Sequence, residues 1–126
     1  MADVVALVND LFFQSKLAET ARLAGVELKT TTTNEALLRE AGENPGATVL
    51  LDLNARSKPL DTLPALRGKQ AAPGQTGGEG RRVIAFLSHV QTELAERARA
   101  AGCDEVMPRS KFTQELPRIL REAKSK

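Results

Sequence analysis

Three short apolar runs punctuate the chain and set its frame. Val4-Val5-Ala6-Leu7-Val8 ends on Asn9-Asp10, Thr48-Val49-Leu50-Leu51 ends on Asp52, and Val83-Ile84-Ala85-Phe86-Leu87 ends on Ser88-His89. Unbroken runs of this length lack the alternation of a half-exposed strand and have the pattern of strands buried on both faces. Each closes on polar residues, so the three strands are expected to share one rim, with Asp52 at the end of the central one.

The segments between these runs carry a helical period. Phe13, Leu17, Ala21 and Ala24 recur at three- and four-residue spacing with charges between them, and Gly25 follows as a stop, which predicts an amphipathic helix. Val26-Glu27-Leu28-Lys29-Thr30 alternates apolar and polar residues, as an edge strand does. Thr32 with Glu35 fits a capping box opening a helix over Ala36, Leu37, Leu38 and Ala41 that stops within residues 42–45. Pro59 and Pro64 leave room only for a short helix using Leu60, Leu63 and Leu66. Residues 68–80, rich in glycine, proline and polar side chains, read as a flexible surface loop rather than a domain linker. A helix over about residues 92–101 turns Leu94, Ala95 and Ala98 inward and stops at Gly102. Asp104-Glu105-Val106-Met107-Pro108 is a short peripheral strand, and a last helix over about residues 113–123 buries Leu116, Ile119 and Leu120.

Strand and helix thus alternate five times, and parallel strands need such helical crossovers. The expectation is one α/β domain over residues 1–126, a five-stranded parallel sheet with helices on both faces. The most apolar strands belong at the centre and the weaker two at the edges, which orders the sheet 2-1-3-4-5. Connections reverse direction between strands one and three, and ligands in such sheets bind outside the carboxyl ends at the reversal. Asp10 and Asp52 are expected to face each other there.

Composition narrows the function classes. With one cysteine, Cys103, and one histidine, His89, the 126 residues hold neither an internal disulfide nor a structural zinc set, and a reducing cytoplasm fits. No apolar run approaches a membrane span and no basic leader precedes one. Eighteen basic against sixteen acidic residues, with four phenylalanines and no tyrosine or tryptophan to stack on bases, disfavour nucleic-acid binding.

Two carboxylates meeting at strand ends repel unless a cation or a shared proton lies between them. Mg²⁺ suits such a pair, with Asp10 and Asp52 as ligands and the backbone carbonyl of Asn54 as the third. Equally, both aspartates can simply end strands and cap the segments after them. Spacing alone leaves both readings open.

The alternating pattern, the acid after strand one, the lone acid after strand three, the hydroxyl after strand four and the run Ala101-Gly102-Cys103-Asp104-Glu105-Val106 resemble the receiver domain of bacterial response regulators. The resemblance covers nearly the whole chain and implies the CheY-like, flavodoxin-like fold. It implies that Asp52 accepts a phosphoryl group from a histidine kinase, that Asp10 helps hold Mg²⁺ and that Ser88 contacts the phosphoryl oxygens. Phosphoryl transfer needs charge neutralisation and alignment more than covalent activation, so the assignment is chemically coherent.

The departures from the family pattern are specific. Its acidic pair is here Asn9-Asp10, which removes one charge and weakens Mg²⁺ binding; its lysine position holds Arg109, whose planar fork places charge differently. Lys111 substitutes only if the backbone bulges, the aromatic of strand five is Val106, and Ala55-Arg56-Ser57-Lys58 stands where a proline- and glycine-containing loop is usual. The resemblance implies a stand-alone, non-enzymatic signalling module that binds another protein through the rim or through the face of the fourth helix, fifth strand and fifth helix, where a homodimer can also form. The alternative within that class is a degenerate receiver recognised without phosphorylation.

A different class, a small Mg²⁺-dependent phosphatase or a nucleotide- or flavin-binding protein, would use the same rim. It lacks a glycine-rich phosphate loop after strand one, where Asn9-Asp10-Leu11-Phe12 stands. His89 is expected as a loop hydrogen-bonder and Cys103 as a small buried hydrophobe, while Lys16, Arg22, Arg118, Arg121, Lys124 and Lys126 are expected on solvated helix faces. Phe12 and Phe13 are adjacent, so only one can point inward and the other is open to a partner.

Overall fold

The computed structural model describes residues 2–55, 58–66, 82–88 and 92–124. The loop expected over residues 68–80, together with Arg56, Ser57, His89 and Lys126, lies outside them. The elements run β1 (Val4–Leu7), α1 (Leu11–Ala24), β2 (Leu28–Thr31), α2 (Asn34–Glu43), β3 (Thr48–Asp52), a 3₁₀ turn (Pro59–Thr62), α3 (Leu63–Leu66), β4 (Val83–Leu87), α4 (Thr92–Ala101), β5 (Glu105–Pro108) and α5 (Arg109–Lys124).

The five strands are parallel in the order β2-β1-β3-β4-β5. Every residue of β1, β3 and β4 is buried, whereas β2 and β5 are edge strands with partly exposed residues. Period-two alternation splits the core in two. Val4, Ala6, Leu50, Ile84 and Phe86 face α1 and α5, and Val5, Leu7, Val49, Leu51, Val83 and Ala85 face α2, α3 and α4.

Helix α1 buries Phe13, Leu17 and Ala21, as its period predicts, and leaves Phe12 exposed. It starts where the Asp10 side chain accepts the Phe12 and Phe13 amides, and it ends at Gly25, whose φ of 72° is left-handed and costs a glycine no Cβ clash.

Three boundaries differ from the sequence expectation. Helix α2 is capped by Thr33, whose Oγ1 accepts the Ala36 amide at 3.1 Å, and not by Thr32. Strand β2 runs through Thr31, so Thr32 still belongs to the link, where its carbonyl accepts the Asn9 side-chain amide at 2.9 Å. Strand β2 itself starts at Leu28, two residues after Val26. Helix α5 begins at Arg109, four residues before Thr113: β5 passes into it without a loop, and buried Phe112 extends its apolar stripe toward the N-terminus. The charged residues of that first turn conceal the stripe in the sequence.

Arg118 also differs. It is not a freely solvated cation but pairs with Glu105 on β5 and with Glu115 and Glu122 on its own helix, while Arg82 pairs with Glu105 from the other side. Burial pushes the Glu105 carboxyl up, but the bonds from Arg82 and Arg118 outweigh it and hold the group below its ordinary pKa. This network ties α5 to the β5 edge. Cys103 is buried, and no helix among the described residues is long and apolar enough to cross a membrane.

Candidate functional site

Parallel strands end on the same side, so Asp10 beyond β1, Asp52 at the end of β3, Ser88 beyond β4 and Arg109 beyond β5 all reach one rim. The order reverses between β1 and β3, and the Asp10 and Asp52 side chains open into the pocket there, with Asn9, Asn54, Ala55 and Arg109.

Arg109 organises the pocket. Its Nη1 donates to Asp10 Oδ2 at 3.1 Å and its Nη2 lies 3.5 Å from Asp52 Oδ2, so one guanidinium spans both acids. Two aromatic faces seat it: its central carbon is 4.8 Å from the Phe13 ring centroid and 5.7 Å from that of Phe86. Guanidinium over an aromatic face is attractive. Its Nε is buried and has no hydrogen-bond partner, so the fork is aimed at the acids at the expense of its own third donor site.

The other two carboxylate oxygens are held by main chain. Asp10 Oδ1 accepts the Phe12 and Phe13 amides at 2.9 and 3.2 Å, and Asp52 Oδ1 accepts the Asn54 amide at 3.0 Å. Asn54 in turn accepts the Ser88 amide at 2.6 Å and the Ser88 hydroxyl at 2.9 Å on its Oδ1. Ser88 is therefore coupled to Asp52 through Asn54.

The two acids titrate in opposite directions. Burial is the largest influence on Asp52, whose side chain is only 5% exposed, and pushes its carboxyl above the ordinary value; the Asn54 amide and Arg109 pull it down and Asp10 pushes it up. Asp10, 38% exposed, is held below its ordinary value, first by the Phe13 amide against some desolvation and then by the Phe12 amide and Arg109. The surroundings thus favour the ionised form of Asp10 and disfavour that of Asp52.

The pocket residues do not fit a divalent ion as they stand. All four carboxylate oxygens are engaged, and one from each acid shares a positive guanidinium that stands where a bridging ion would. Among the described residues no three His, Cys, Asp or Glu side chains gather as a metal set. The second acid that would reinforce one is Asn9, whose amide is turned to the Thr32 carbonyl. The α1 amides that could cradle a phosphate are likewise taken by Asp10.

Asp10, Asp52, Asn54, Ser88 and Arg109 are thus all brought to this rim, whereas Lys111 is exposed on α5 and takes no part in lining the pocket. Sequence reasoning missed two things: the Asn54 side chain as a clamp on Ser88, and the Phe13–Phe86 seat. A phenylalanine three residues after a rim aspartate was the available signal for the seat. The clamp had none.

No family model and no curated protein matches the chain. Solved structures do match its fold. The chemotaxis response regulator CheY4 of Vibrio cholerae superposes with a TM-score of 0.77 at 17% identity, covering 98% of this chain and 98% of that one. A response regulator receiver domain from Rhodospirillum rubrum gives 0.73 at 16% identity, covering 98% and 94%. The beryllofluoride-activated NtrC4 receiver domain dimer gives 0.74 at 14% identity, covering 95% and 97%. The chain has the CheY-like receiver fold, and at these identities the likeness speaks for fold alone.

Proposed function

We propose that this receiver-fold chain is a signalling module of a phosphorelay, working by contact with another protein, in which Asp52 accepts a phosphoryl group. The reading rests on one observation: Arg109 gathers Asp10 and Asp52 at the rim where the strand order reverses. In the transfer an Asp52 oxygen attacks phosphorus, the bond from phosphorus to the donor's leaving group breaks, and that group departs with the electron pair. Burial leaves the ionised form of Asp52 poorly stabilised and so more ready to attack, while Arg109 works against that burial in favour of ionisation and lies beside the phosphoryl oxygens as they enter. The Ser88 hydroxyl, turned from Asn54, supplies a donor to them. Arg109 takes the neutralising role that the sequence suggested for Mg²⁺ at Asp10, Asp52 and the Asn54 carbonyl.

A histidine kinase would dock at the rim, and a partner or second copy at the apolar groove between α4 and β5, lined by Leu87, Ala95, Val106, Met107 and Pro108. A reducing cytoplasm suits a chain with one cysteine, Cys103. A second reading, a degenerate receiver recognised without phosphorylation, is favoured by the full engagement of both carboxylates. Intact mass after treatment with a small phosphodonor separates the two. A gain of one phosphoryl mass that disappears in Asp52→Asn supports transfer, and no gain with any donor or kinase leaves the degenerate form.

A further inference from the structure

We infer that Arg109 is the resident cation of the Asp10–Asp52 pocket: its guanidinium holds the bridging position between the carboxylates and makes the pocket indifferent to divalent ions. The inference concerns what neutralises the acids and stands whether or not Asp52 accepts a phosphoryl group.

Geometry carries it. Nη1 and Nη2 of one planar group reach Oδ2 of Asp10 at 3.1 Å and Oδ2 of Asp52 at 3.5 Å, one oxygen of each acid in the same pocket. A hard divalent ion would need those same oxygens at bonding distance, with its remaining positions filled by a carbonyl and water. It would also have to sit against a fixed positive charge. Guanidinium and ion are therefore alternatives.

Two features hold the guanidinium in place rather than leaving it to swing out. Arg109 is the first residue of α5 and follows β5 directly, so its backbone is fixed by both elements. Its head packs over Phe13 and Phe86, themselves in ring contact at 5.0 Å. With Asn9 in place of a further acid, the two carboxylates and one guanidinium leave a single net negative charge, too little to draw an ion in against Arg109.

The test is a titration of the whole chain with MgCl₂ and MnCl₂ at constant ionic strength and without phosphodonor, read by thermal unfolding and by Mn²⁺ broadening of the Asp10 and Asp52 amide signals. The wild type is expected to show no saturable shift and no localised broadening. Arg109→Met keeps the stem over the two rings and Arg109→Gln keeps an amide donor as well, so a folding failure of one still leaves the other. Either is expected to bind Mn²⁺ at least about tenfold more tightly than the wild type, the scale on which groups around a metal site move its affinity. The added Asp52→Asn change should abolish that gain. Saturable binding by the wild type that Arg109→Met leaves unchanged overturns the inference. So does a folded Arg109 variant that gains no affinity.

Discussion

Asn54 and Ser88, 34 residues apart in sequence, are joined twice, with the Ser88 amide at 2.6 Å and its hydroxyl at 2.9 Å from Asn54 Oδ1. The clamp binds the end of β4 to the turn after β3 and points the hydroxyl at Asn54 rather than into the pocket. Asn54→Ala removes both bonds at an exposed site, so it should cost about 1 kcal/mol or less. The sharper readout is amide exchange, in which Ser88 loses protection while the body of β4 keeps it.

Asp52 makes the fold sensitive to pH in an unusual direction. A carboxyl whose pKa is raised by folding holds its proton more tightly in the native state, so ionising it works against folding. Stability from this group falls as pH climbs from the unfolded carboxyl value, near about 4, through the raised native one. Asp52→Asn should therefore raise the Tm at neutral pH, with the gain shrinking to nothing as pH drops below about 4. A Tm difference that is flat across that interval would contradict the role of burial.

Asp10 and Glu105 have the opposite sign. Their pKa values are lowered by folding, so the stability they add is present above the unfolded carboxyl value and disappears as pH falls through the lowered one. Asp10 also works as a cap. Asn caps a helix about as well as Asp, so Asp10→Asn should keep the start of α1 while weakening the hold on Arg109, and Asp10→Ala should lose both. The predicted order of neutral-pH Tm is wild type, Asp10→Asn, Asp10→Ala, and thermal melts of the three decide it.

Phe86 is fully buried between Phe13 and Phe112, with ring centroids 5.0 and 4.4 Å away. Phe86→Ala leaves a cavity in the sheet face under α1 and α5 and should cost about 3–5 kcal/mol, measured as a lower denaturant midpoint at unchanged slope. It also removes one wall of the Arg109 seat. In the Phe86→Ala background, the charge pair to Asp10 should add less to stability in a double-mutant cycle than in the wild type.

Gly25 is a cleaner probe of backbone alone. A Cβ there would meet only Lys124 Cε at 3.9 Å, so no clash interferes, yet φ is 72°. Gly25→Ala should cost about 1 kcal/mol and Gly25→Asn less, both read from equilibrium unfolding.

The hydrophobic pattern by itself determined the five strands, the helices between them and, through the rule that the most apolar strands are central, the order β2-β1-β3-β4-β5. Burial on one or both faces writes its period directly into neighbouring residues, so this information is local. Helix starts were less legible: Thr33 displaced Thr32 as a cap because β2 runs through Thr31 and leaves Thr32 in the link, and the start of α5 at Arg109 was hidden by the charged residues of its first turn. Which side chain neutralises Asp10 and Asp52 was decided only by the tertiary structure. Arg109 is 99 residues from Asp10 in sequence, and its reach depends on β4 and β5 stacking beside β3, on Phe13 and Phe86 meeting beneath it, and on a helix that begins without a loop. Contacts of that range leave no period in the chain, since a charge that bridges two strands looks, residue by residue, like any other charge at a helix start.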